Sequence, residues 1–278
     1  MSKQNFKIFL APKKEDVSFK PHATVEAEYG NDVIKGEIIT LAHHVGEYKS
    51  NPAPCVVDVE PLEGGNILIS HIDLDTIGGL LAVMGQKPDH PGFWEAVAFI
   101  DLNGRHHLNK LPEAIHPYIK GAWAIDAKYR RRFDELTDVT DLVFKYANDL
   151  QRLLDGDKEL IRQGEEEFAA LQAKQEACLV EEDEFVRLFR TETVPCSSAY
   201  YSPTLRKVVP FIVVYNDKWK SVTVSCEGGQ LNVGEFVKTL WGEGAGGHAG
   251  IGGSPRGQEM SFEDAKEAVM KIKEKMNQ

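Results

Sequence analysis

The sequence predicts two α/β domains joined by a helical connector. Strand-like and helix-like segments alternate in residues 1–155, which predicts an N-terminal domain with a mainly parallel sheet. Residues 156–184 continue an amphipathic helical pattern rich in charge and are assigned to the connector. Residues 185–278 return to strand-like runs followed by helices, which predicts a smaller C-terminal α/β domain.

In the N-terminal domain, the predicted strands are β-rich runs bounded by turn residues. Asn66–Ser70 is a short apolar run typical of a buried strand, and the small, apolar segment Thr76–Gly85 suits a helix packed on a sheet. Glu95–Ile100 is predicted as the next strand, so these three segments form a strand–helix–strand unit. Earlier strands are expected within Ala23–Tyr29, Val33–Leu41 and Cys55–Val59.

From the end of the first domain into the connector, apolar residues recur at helical spacing, first between Leu142 and Leu154 and again from Leu160 to Leu179. Gly156 lies between these stretches, so we predict two helices, or one long helix broken at this glycine.

The C-terminal domain opens with a hairpin signal, because two β-rich runs flank the turn Asn216-Asp217. These runs are Val208–Tyr215 and Lys220–Ser225. The helices expected after the hairpin are Val233–Leu240 and Ser261–Met276, separated by the glycine-dense segment Gly242–Gly257. Ser261 is a good N-cap for the last helix.

The net charge of −11 at pH 7 limits the partners of the chain. Long duplex nucleic acid is not expected, although a local basic patch or metal ions can hold a short nucleotide. No signal peptide or membrane span is predicted, so we expect a cytoplasmic protein with no membrane contact. The widely spaced cysteines form no CxxC pair, which predicts reduced thiols at Cys55, Cys178, Cys196 and Cys226.

The strongest chemical signal is His71-Ile72-Asp73-Leu74-Asp75, at the end of the predicted buried strand. Alternation along an extended chain places His71, Asp73 and Asp75 on one side. Imidazole and carboxylates together suit Mn²⁺, Zn²⁺ or Fe²⁺, and Mg²⁺ is also accommodated. The alternative is a polar turn whose aspartates cap the following helix.

Two His-His pairs supply further candidate ligands. Asp101 ends the second predicted strand and is followed by His106 and His107. A two-metal site needs more donors than one segment supplies, so Asp101 and one of these histidines are the obvious additions. His43 and His44 also follow a β-rich run. Either pair can instead be structural or exposed, and the choice between the pairs stays open.

The glycine-dense segment is a candidate anion-binding loop, with a flexible loop as the alternative. Glycines let backbone N–H groups approach an anion closely. Arg256 suits bidentate contact with phosphate. The candidate substrate-binding residues are Gly246, Gly247, His248, Gly252, Gly253, Ser254 and Arg256.

Together these motifs resemble the DHH phosphoesterase superfamily, in which a DHH domain precedes a DHHA1 domain. The superfamily includes nano-RNases, cyclic dinucleotide phosphodiesterases and RecJ-like exonucleases. Residues 70–79 look like its first motif, a strand ending in His-x-Asp-x-Asp before a small-residue helix. Residues 246–253 look like the glycine-rich DHHA1 motif. The name-giving Asp-His-His is degenerate, because Ala42 and Arg105 stand where each pair would need aspartate.

The resemblance implies a metal-dependent phosphoesterase with one or two divalent ions, Mn²⁺ above all. The implied substrate is a short oligonucleotide, a nucleoside bisphosphate or a cyclic dinucleotide, and a homodimer is compatible with it. The implied metal ligands are His71, Asp73, Asp75, Asp101 and His106, with His43 and His44 as further candidates, and the implied catalytic residues are Asp101, His106 and His107.

The sequence leaves one residue assignment and two alternative functions open. The aspartate of the fourth family motif is Asp126, Asp138 or Asp141. A catalytically inactive nucleotide sensor of the same fold is the alternative function, and a metal hydrolase acting on a non-phosphate ester or amide is a third reading.

Overall fold

The computed structural model describes residues 5–193 and 197–277. The chain divides into two compact units. The first comprises residues up to 103 together with 108–168, and the second comprises residues 104–107 together with those from 169 onward. Each unit combines a β-sheet with packed helices, which confirms the predicted α/β class.

The first unit is built on short strands, and the parallel strands of its main sheet end at the same edge. The strands are β1 (Phe6–Leu10), β2 (Ala23–Val25), β3 (Glu28–Tyr29), β4 (Asp32–Val33), β5 (Ile39–Leu41), β6 (Gly65–Ile69) and β7 (Thr137–Asp138). The main sheet has the order β5-β2-β6-β1-β7, and only the β1–β7 pair is antiparallel. Strands β3 and β4 form a separate hairpin.

In the part of the chain that the structure describes, four helices and the first half of a fifth accompany this sheet and enclose a continuous apolar core with it, and the fifth continues past residue 168 into the second unit. They are α1 (Leu74–Val83), α2 (Phe93–Asn103), α3 (His116–Tyr129), α4 (Thr140–Leu154) and α5 (Lys158–Glu176). The predicted break near Gly156 is confirmed, since this glycine lies between α4 and α5 with a φ of +87°.

Helix α1 packs closely against the 3₁₀ turn Pro54–Val56 because two of its residues lack a side chain. A Cβ at Gly78 would lie 2.4 Å from Cys55 Cβ, and one at Gly79 would lie 2.7 Å from Pro54 Cβ. Every residue of α1 is buried, which confirms the predicted small-residue helix and holds its first turn in the interior.

The prediction of a strand after the small-residue helix is wrong, and so is the strand–helix–strand unit that depended on it. Glu95–Ile100 lies within α2, where six of the eleven residues are buried. Because α2 has apolar residues on several faces, its sequence shows no clear helical periodicity, and a short apolar run of this kind fits a buried strand equally well. The observed order is strand, helix, helix.

Two earlier strand predictions also differ from the structure. Cys55–Val59 begins in a 3₁₀ turn. Val33–Leu41 is strand only at its ends, because the chain turns tightly at Gly36, where a Cβ would lie 2.1 Å from the carbonyl oxygen of Ile39.

The second unit contains a six-stranded sheet with the order β14-β15-β13-β12-β9-β8 and a two-stranded ribbon, β10–β11. Its strands are β8 (Leu179–Glu182), β9 (Val186–Thr191), β10 (Tyr201–Ser202), β11 (Lys207–Val208), β12 (Phe211–Asn216), β13 (Ser221–Cys226), β14 (Gly246–His248) and β15 (Ile251–Gly253). Its helices are α6 (Val233–Trp241) and α7 (Phe262–Met276).

Most predictions for the second unit are confirmed. Strands β12 and β13 form the expected hairpin, and both predicted helices are present. Ser261 caps α7 in a reciprocal capping box with Asp264. The glycine-dense segment differs from a simple loop, because β14 and β15 form an edge hairpin within it.

Among the described cysteines, Cys55, Cys178 and Cys226 are free thiols, as predicted, whereas Cys196 lies outside the described residues. No helix of the described chain combines the length and apolar character that crossing a membrane requires.

Replacement of Gly78 by alanine should destabilise the first unit by about 1–3 kcal/mol, because the new methyl group overpacks the Cys55 contact. Urea unfolding followed by circular dichroism measures this change. Gly250→Ala is the control, since a Cβ there meets only the Cys226 carbonyl oxygen at 3.7 Å. Equal midpoints for the two variants would show that the α1 packing is looser than described.

Candidate metal centre

The candidate centre is organised around Glu26, a residue that sequence reasoning missed. Glu26 directly follows β2, and its side chain is only 1% exposed. Its φ of +47° lies in the left-handed region, which is uncommon for a residue other than glycine. The Glu26 backbone N–H donates to the Leu41 carbonyl oxygen, and the Ser70 hydroxyl donates to the Glu26 carbonyl oxygen. These bonds tie Glu26 to the ends of β5 and β6.

Three histidines and one hydroxyl converge on the carboxylate of Glu26. Oε1 lies 3.0 Å from His43 Nε2 and 3.2 Å from His44 Nε2. Oε2 lies 3.4 Å from His71 Nε2 and accepts a hydrogen bond of 2.6 Å from the Thr76 hydroxyl. The histidines follow β5 and β6, the parallel neighbours of β2, so the sheet order brings them together at one edge.

The His43-His44 pair is fixed by a second glutamate. The backbone N–H groups of His43 and His44 donate to Glu28 Oε1 at 3.0 and 3.1 Å. The two rings lie 3.8 Å apart between centroids, with the His43 side chain buried and the His44 side chain 47% exposed. Both Nε2 atoms therefore face Glu26.

Asp73 both caps α1 and contacts His71, so the two sequence interpretations of this residue coexist. Its Oδ1 accepts the N–H of Thr76 at 2.9 Å, while its Oδ2 lies 3.1 Å from His71 Nε2. The extended chain ends at Asp73, and Asp75 already belongs to the first helical turn. Strand alternation is therefore not what brings His71, Asp73 and Asp75 to one site.

Asp75 and Asp101 lie on the other side of His43. Asp75 Oδ1 accepts the N–H of Cys55 at 2.8 Å, and its Oδ2 lies 3.3 Å from His43 Nε2. Asp101 belongs to the last turn of α2, not to a strand end, and its Oδ2 lies 3.5 Å from His43 Nε2. Asp101 therefore lies beside His43 as predicted, but it is positioned by the end of a helix and not by the end of a strand.

The donor set fits divalent metal ions. Within the described chain, Oδ2 of Asp75 and of Asp101 is buried and has the His43 imidazole as its ion-pair partner without a well-formed hydrogen bond, so both oxygens keep lone pairs for a metal ion. Imidazole and carboxylate donors suit Mn²⁺, Fe²⁺ and Zn²⁺. The candidate ligand atoms lie within 4.8 Å of one another in three overlapping groups, which are Glu26–His43–His44, Glu26–His71–Asp73 and His43–Asp75–Asp101.

The carboxylates hold the histidines protonated when no metal is bound. Burial lowers the pKa of His43, but contacts with Asp75 and Glu26 outweigh it and raise the pKa to about 10. The pKa of His71 is likewise raised to about 10 by two carboxylates against the effect of burial. Burial raises the pKa of Glu26, but hydrogen bonds to His43, His44 and His71 outweigh it and hold the pKa well below its ordinary value.

The pKa of Asp101 is shifted upward, opposite to the shift of the Glu26 pKa. Burial and the negative charges of Asp75, Asp73 and Glu26 raise the pKa of Asp101 to about 6. Four carboxylates crowd three imidazoles, so Asp101 stays anionic less readily than an ordinary aspartate. A divalent cation would remove this repulsion.

His106 and His107 meet Glu227 in the second unit. His107 Nε2 lies 2.8 Å and His106 Nε2 lies 3.6 Å from Glu227 Oε1. The structure thus brings the pair 43–44, and not the pair 106–107, to Asp75 and Asp101. The ligand role of His106 and the catalytic roles of His106 and His107 stay predictions.

None of the three candidates for the fourth-motif aspartate joins the ligand groups of the described chain. Asp126 is buried in α3 and pairs with Arg130 at 2.8 Å. Asp138 and Asp141 line a cleft of about 590 Å³ beside Phe6, at the start of β1. This is the opposite edge of the sheet from Glu26.

All seven predicted substrate-binding residues line one cleft of about 530 Å³ in the second unit. Gly247 and Gly252 pair across the β14–β15 hairpin, and a Cβ at Gly247 would lie 2.2 Å from the Ile251 carbonyl oxygen. Ser254 Oγ accepts the N–H of Val222 at 3.1 Å, which anchors the end of the hairpin to β13. These glycines are therefore needed for close backbone packing of the hairpin, in addition to any contact with a ligand.

No protein family model matches the chain, and no curated protein matches its sequence. Among solved structures, it is similar to the pGpG-specific phosphodiesterase PggH from Vibrio cholerae, at 12% identity and a TM-score of 0.45, over 91% of this chain and 83% of that one. An exopolyphosphatase-related protein from Bacteroides fragilis is 13% identical, with a TM-score of 0.29, over 77% and 64% of the respective chains. An uncharacterized protein from Helicobacter pylori G27 is 16% identical, with a TM-score of 0.25, over 86% and 75%. Functional assignment therefore rests on the site itself.

Metal binding to the centre should release protons. His43 and His71, with pKa values of about 10, are protonated at pH 8, and a metal takes the neutral imidazole. Calorimetric titration of Mn²⁺ into metal-free protein, in two buffers of different ionisation enthalpy, should show about one proton released per ligating histidine. Apparent affinity should rise with pH up to about 10, where these histidines become neutral.

The control for this titration is His116→Gln, which lies outside the centre and should release as many protons as wild type. His71→Gln should release about one proton fewer. Binding heats that do not depend on the buffer would contradict histidine ligation.

Proposed function

We propose that this chain is a metal-dependent phosphoesterase that hydrolyses a small phosphate ester or phosphodiester. The proposed substrate classes are short oligonucleotides, nucleoside bisphosphates and cyclic dinucleotides. The proposal is carried by one observation, the convergence of three histidines on the buried carboxylate of Glu26, with Asp75 and Asp101 beside the innermost histidine.

The residues that would hold one or two divalent ions are Glu26, His43, His71, Asp73, Asp75 and Asp101, while the half-exposed His44 stays free of the ions. We propose Mn²⁺ because the DHH resemblance implies it and because a carboxylate-rich set with imidazoles suits it. When bound, such ions activate water as a nucleophile at neutral pH and offset negative charge on phosphoryl oxygens.

The side chains around the centre have separable tasks. Glu26 and Glu28 orient the pair 43–44, and Cys55 orients Asp75 through its backbone N–H. His44 is the proposed proton donor to the leaving oxygen, since it is half-exposed and a hydrogen bond to Glu26 raises its pKa. His106 and His107 lie with Glu227, so proton donation is assigned to His44 in preference to them.

A small substrate agrees with the charge of the chain. With a net charge of −11, the protein has no general attraction for a long polyanion. The cleft of the β14–β15 hairpin, lined by backbone groups, His248 and Arg256, is a proposed anion-binding surface of the second unit.

A catalytically inactive nucleotide-binding protein is the second candidate. The observation that favours it is Ala42, which stands before His43-His44 where the resemblance calls for aspartate. The two candidates differ in turnover, so they are separated by kinetics and binding measured on the same variants.

Purified protein, stripped of metal and reloaded with Mn²⁺, should hydrolyse at least one of three substrates, which are bis-p-nitrophenyl phosphate, a dinucleotide and a nucleoside 3′,5′-bisphosphate. Rates are measured with and without Mn²⁺, and a chelator should abolish them. Nucleotide binding without turnover on the whole panel would favour the inactive sensor.

Asp75→Asn should lower kcat/KM on the order of 100-fold or more, because a charge that holds the ion is lost. The fold should survive, since the amide oxygen can still accept the Cys55 N–H. Asp58→Asn, an exposed carboxylate-to-amide change, is the matched control and should leave kcat/KM unchanged. Unaltered hydrolysis by Asp75→Asn would refute the site assignment.

A further inference from the structure

We infer that His106, His107 and Glu227 form a second, independent metal site, which takes a Zn²⁺-type transition-metal ion. All three residues belong to the second unit. Their ligand atoms lie within 4.8 Å of one another. This inference does not depend on the proposed phosphoesterase activity.

The second group reproduces the local arrangement found around Glu26. In both places the Nε2 atoms of consecutive histidines face one glutamate oxygen, at 3.0 and 3.2 Å for Glu26 and at 2.8 and 3.6 Å for Glu227. The ring planes meet at 41° in both pairs, with centroids 3.8 and 4.2 Å apart. The pair 106–107 thus offers the same two imidazole donors and one carboxylate.

The backbone around His106 is shaped for its ring. Gly104 has a φ of +87°, and a Cβ there would lie 2.7 Å from His106 Cε1. The Arg105 N–H donates to Ser197 Oγ at 3.3 Å, and the Tyr200 ring lies 5.0 Å from the His106 ring. Glycine at 104 is therefore required for the observed ring position.

The backbone of Glu227, the third member of the group, is also held by a hydrogen bond. It directly follows β13, and its N–H donates to the Pro210 carbonyl oxygen at 2.8 Å. The side chains of His106 and His107 are each 6% exposed, whereas that of Glu227 is 28% exposed. An ion can therefore reach the group past the carboxylate, and two buried imidazoles complete its protein ligands.

The donor composition points to Zn²⁺. Two imidazoles and one carboxylate form a known zinc ligand set, whereas the carboxylate-rich centre around Glu26 suits harder ions as well. Occupation would clamp residues 104–107 onto the end of β13, across 120 positions of sequence. The expected consequence is stabilisation of the second unit by Zn²⁺.

The test compares Asp75→Asn with the double variant Asp75→Asn/Glu227→Gln, so that the centre around Glu26 is weakened in both. After chelation and titration with Zn²⁺, Asp75→Asn should bind at least one equivalent whose affinity the Glu227→Gln change lowers by at least about 10- to 100-fold, the cost of losing even an outer-shell partner. Glu259→Gln, an exposed change in the same unit, is the control for the second substitution. Equal Zn²⁺ affinity in the single and double variants would overturn the inference.

Crystals of the wild-type protein soaked in Zn²⁺ give a second readout that needs no variant to fold. An anomalous peak at the zinc edge should lie about 2.0–2.2 Å from Nε2 of His106 and His107 and from a Glu227 oxygen. Zinc at Glu26 alone, with none at Glu227, would overturn the inference and leave the proposed phosphoesterase intact. Zinc at Glu227 alone would support the inference while contradicting the proposed catalytic centre.

Discussion

The burial of the Glu26 carboxylate is the constraint on which the centre depends. A buried anion is costly unless its oxygens are compensated by donors or cations. Its partners come from three separate places, the segments after β5 and β6 and the first turn of α1. One side chain therefore couples the sheet edge to the helix that carries Asp75. The left-handed backbone of Glu26 is tolerated because these contacts over-determine it.

The same electrostatics suit the centre to protons or to a divalent ion as the balancing positive charge. Protonated histidines balance the carboxylates in the metal-free protein, which is why the pKa values of His43 and His71 rise to about 10. A divalent ion offers the same positive charge in a smaller volume and accepts the lone pairs that the protons occupied. Protons and a metal ion would thus balance the same set of carboxylate oxygens. Glu28 holds the backbone of His43 and His44 in place in both cases.

The sequence predicted the parts of the fold and site that are local. His71, Asp73 and Asp75 share one motif, and the C-terminal hairpin and capped helix each follow from a few adjacent residues. Glu26 was missed because a single glutamate after a short strand has no local signature, and its partners depend on the order β5-β2-β6. Asp101 was found although its element was assigned incorrectly, because a helix end and a strand end can deliver the same carboxylate. The choice between the His-His pairs needed tertiary contacts that no spacing encodes.

Exposure separates the roles of the two His-His groups. Around Glu26, the side chains of His44 and His71 are 47% and 46% exposed, so a phosphate ester can reach the donors directly. Around Glu227, both histidines are 6% exposed, so approach is limited to the carboxylate side. An ion at either group would keep coordination positions beyond its protein ligands, but only the exposed imidazoles around Glu26 leave room for a phosphate ester. The proposed hydrolysis is therefore assigned to the group around Glu26, and the group at Glu227 is suited to holding residues 104–107 against the end of β13.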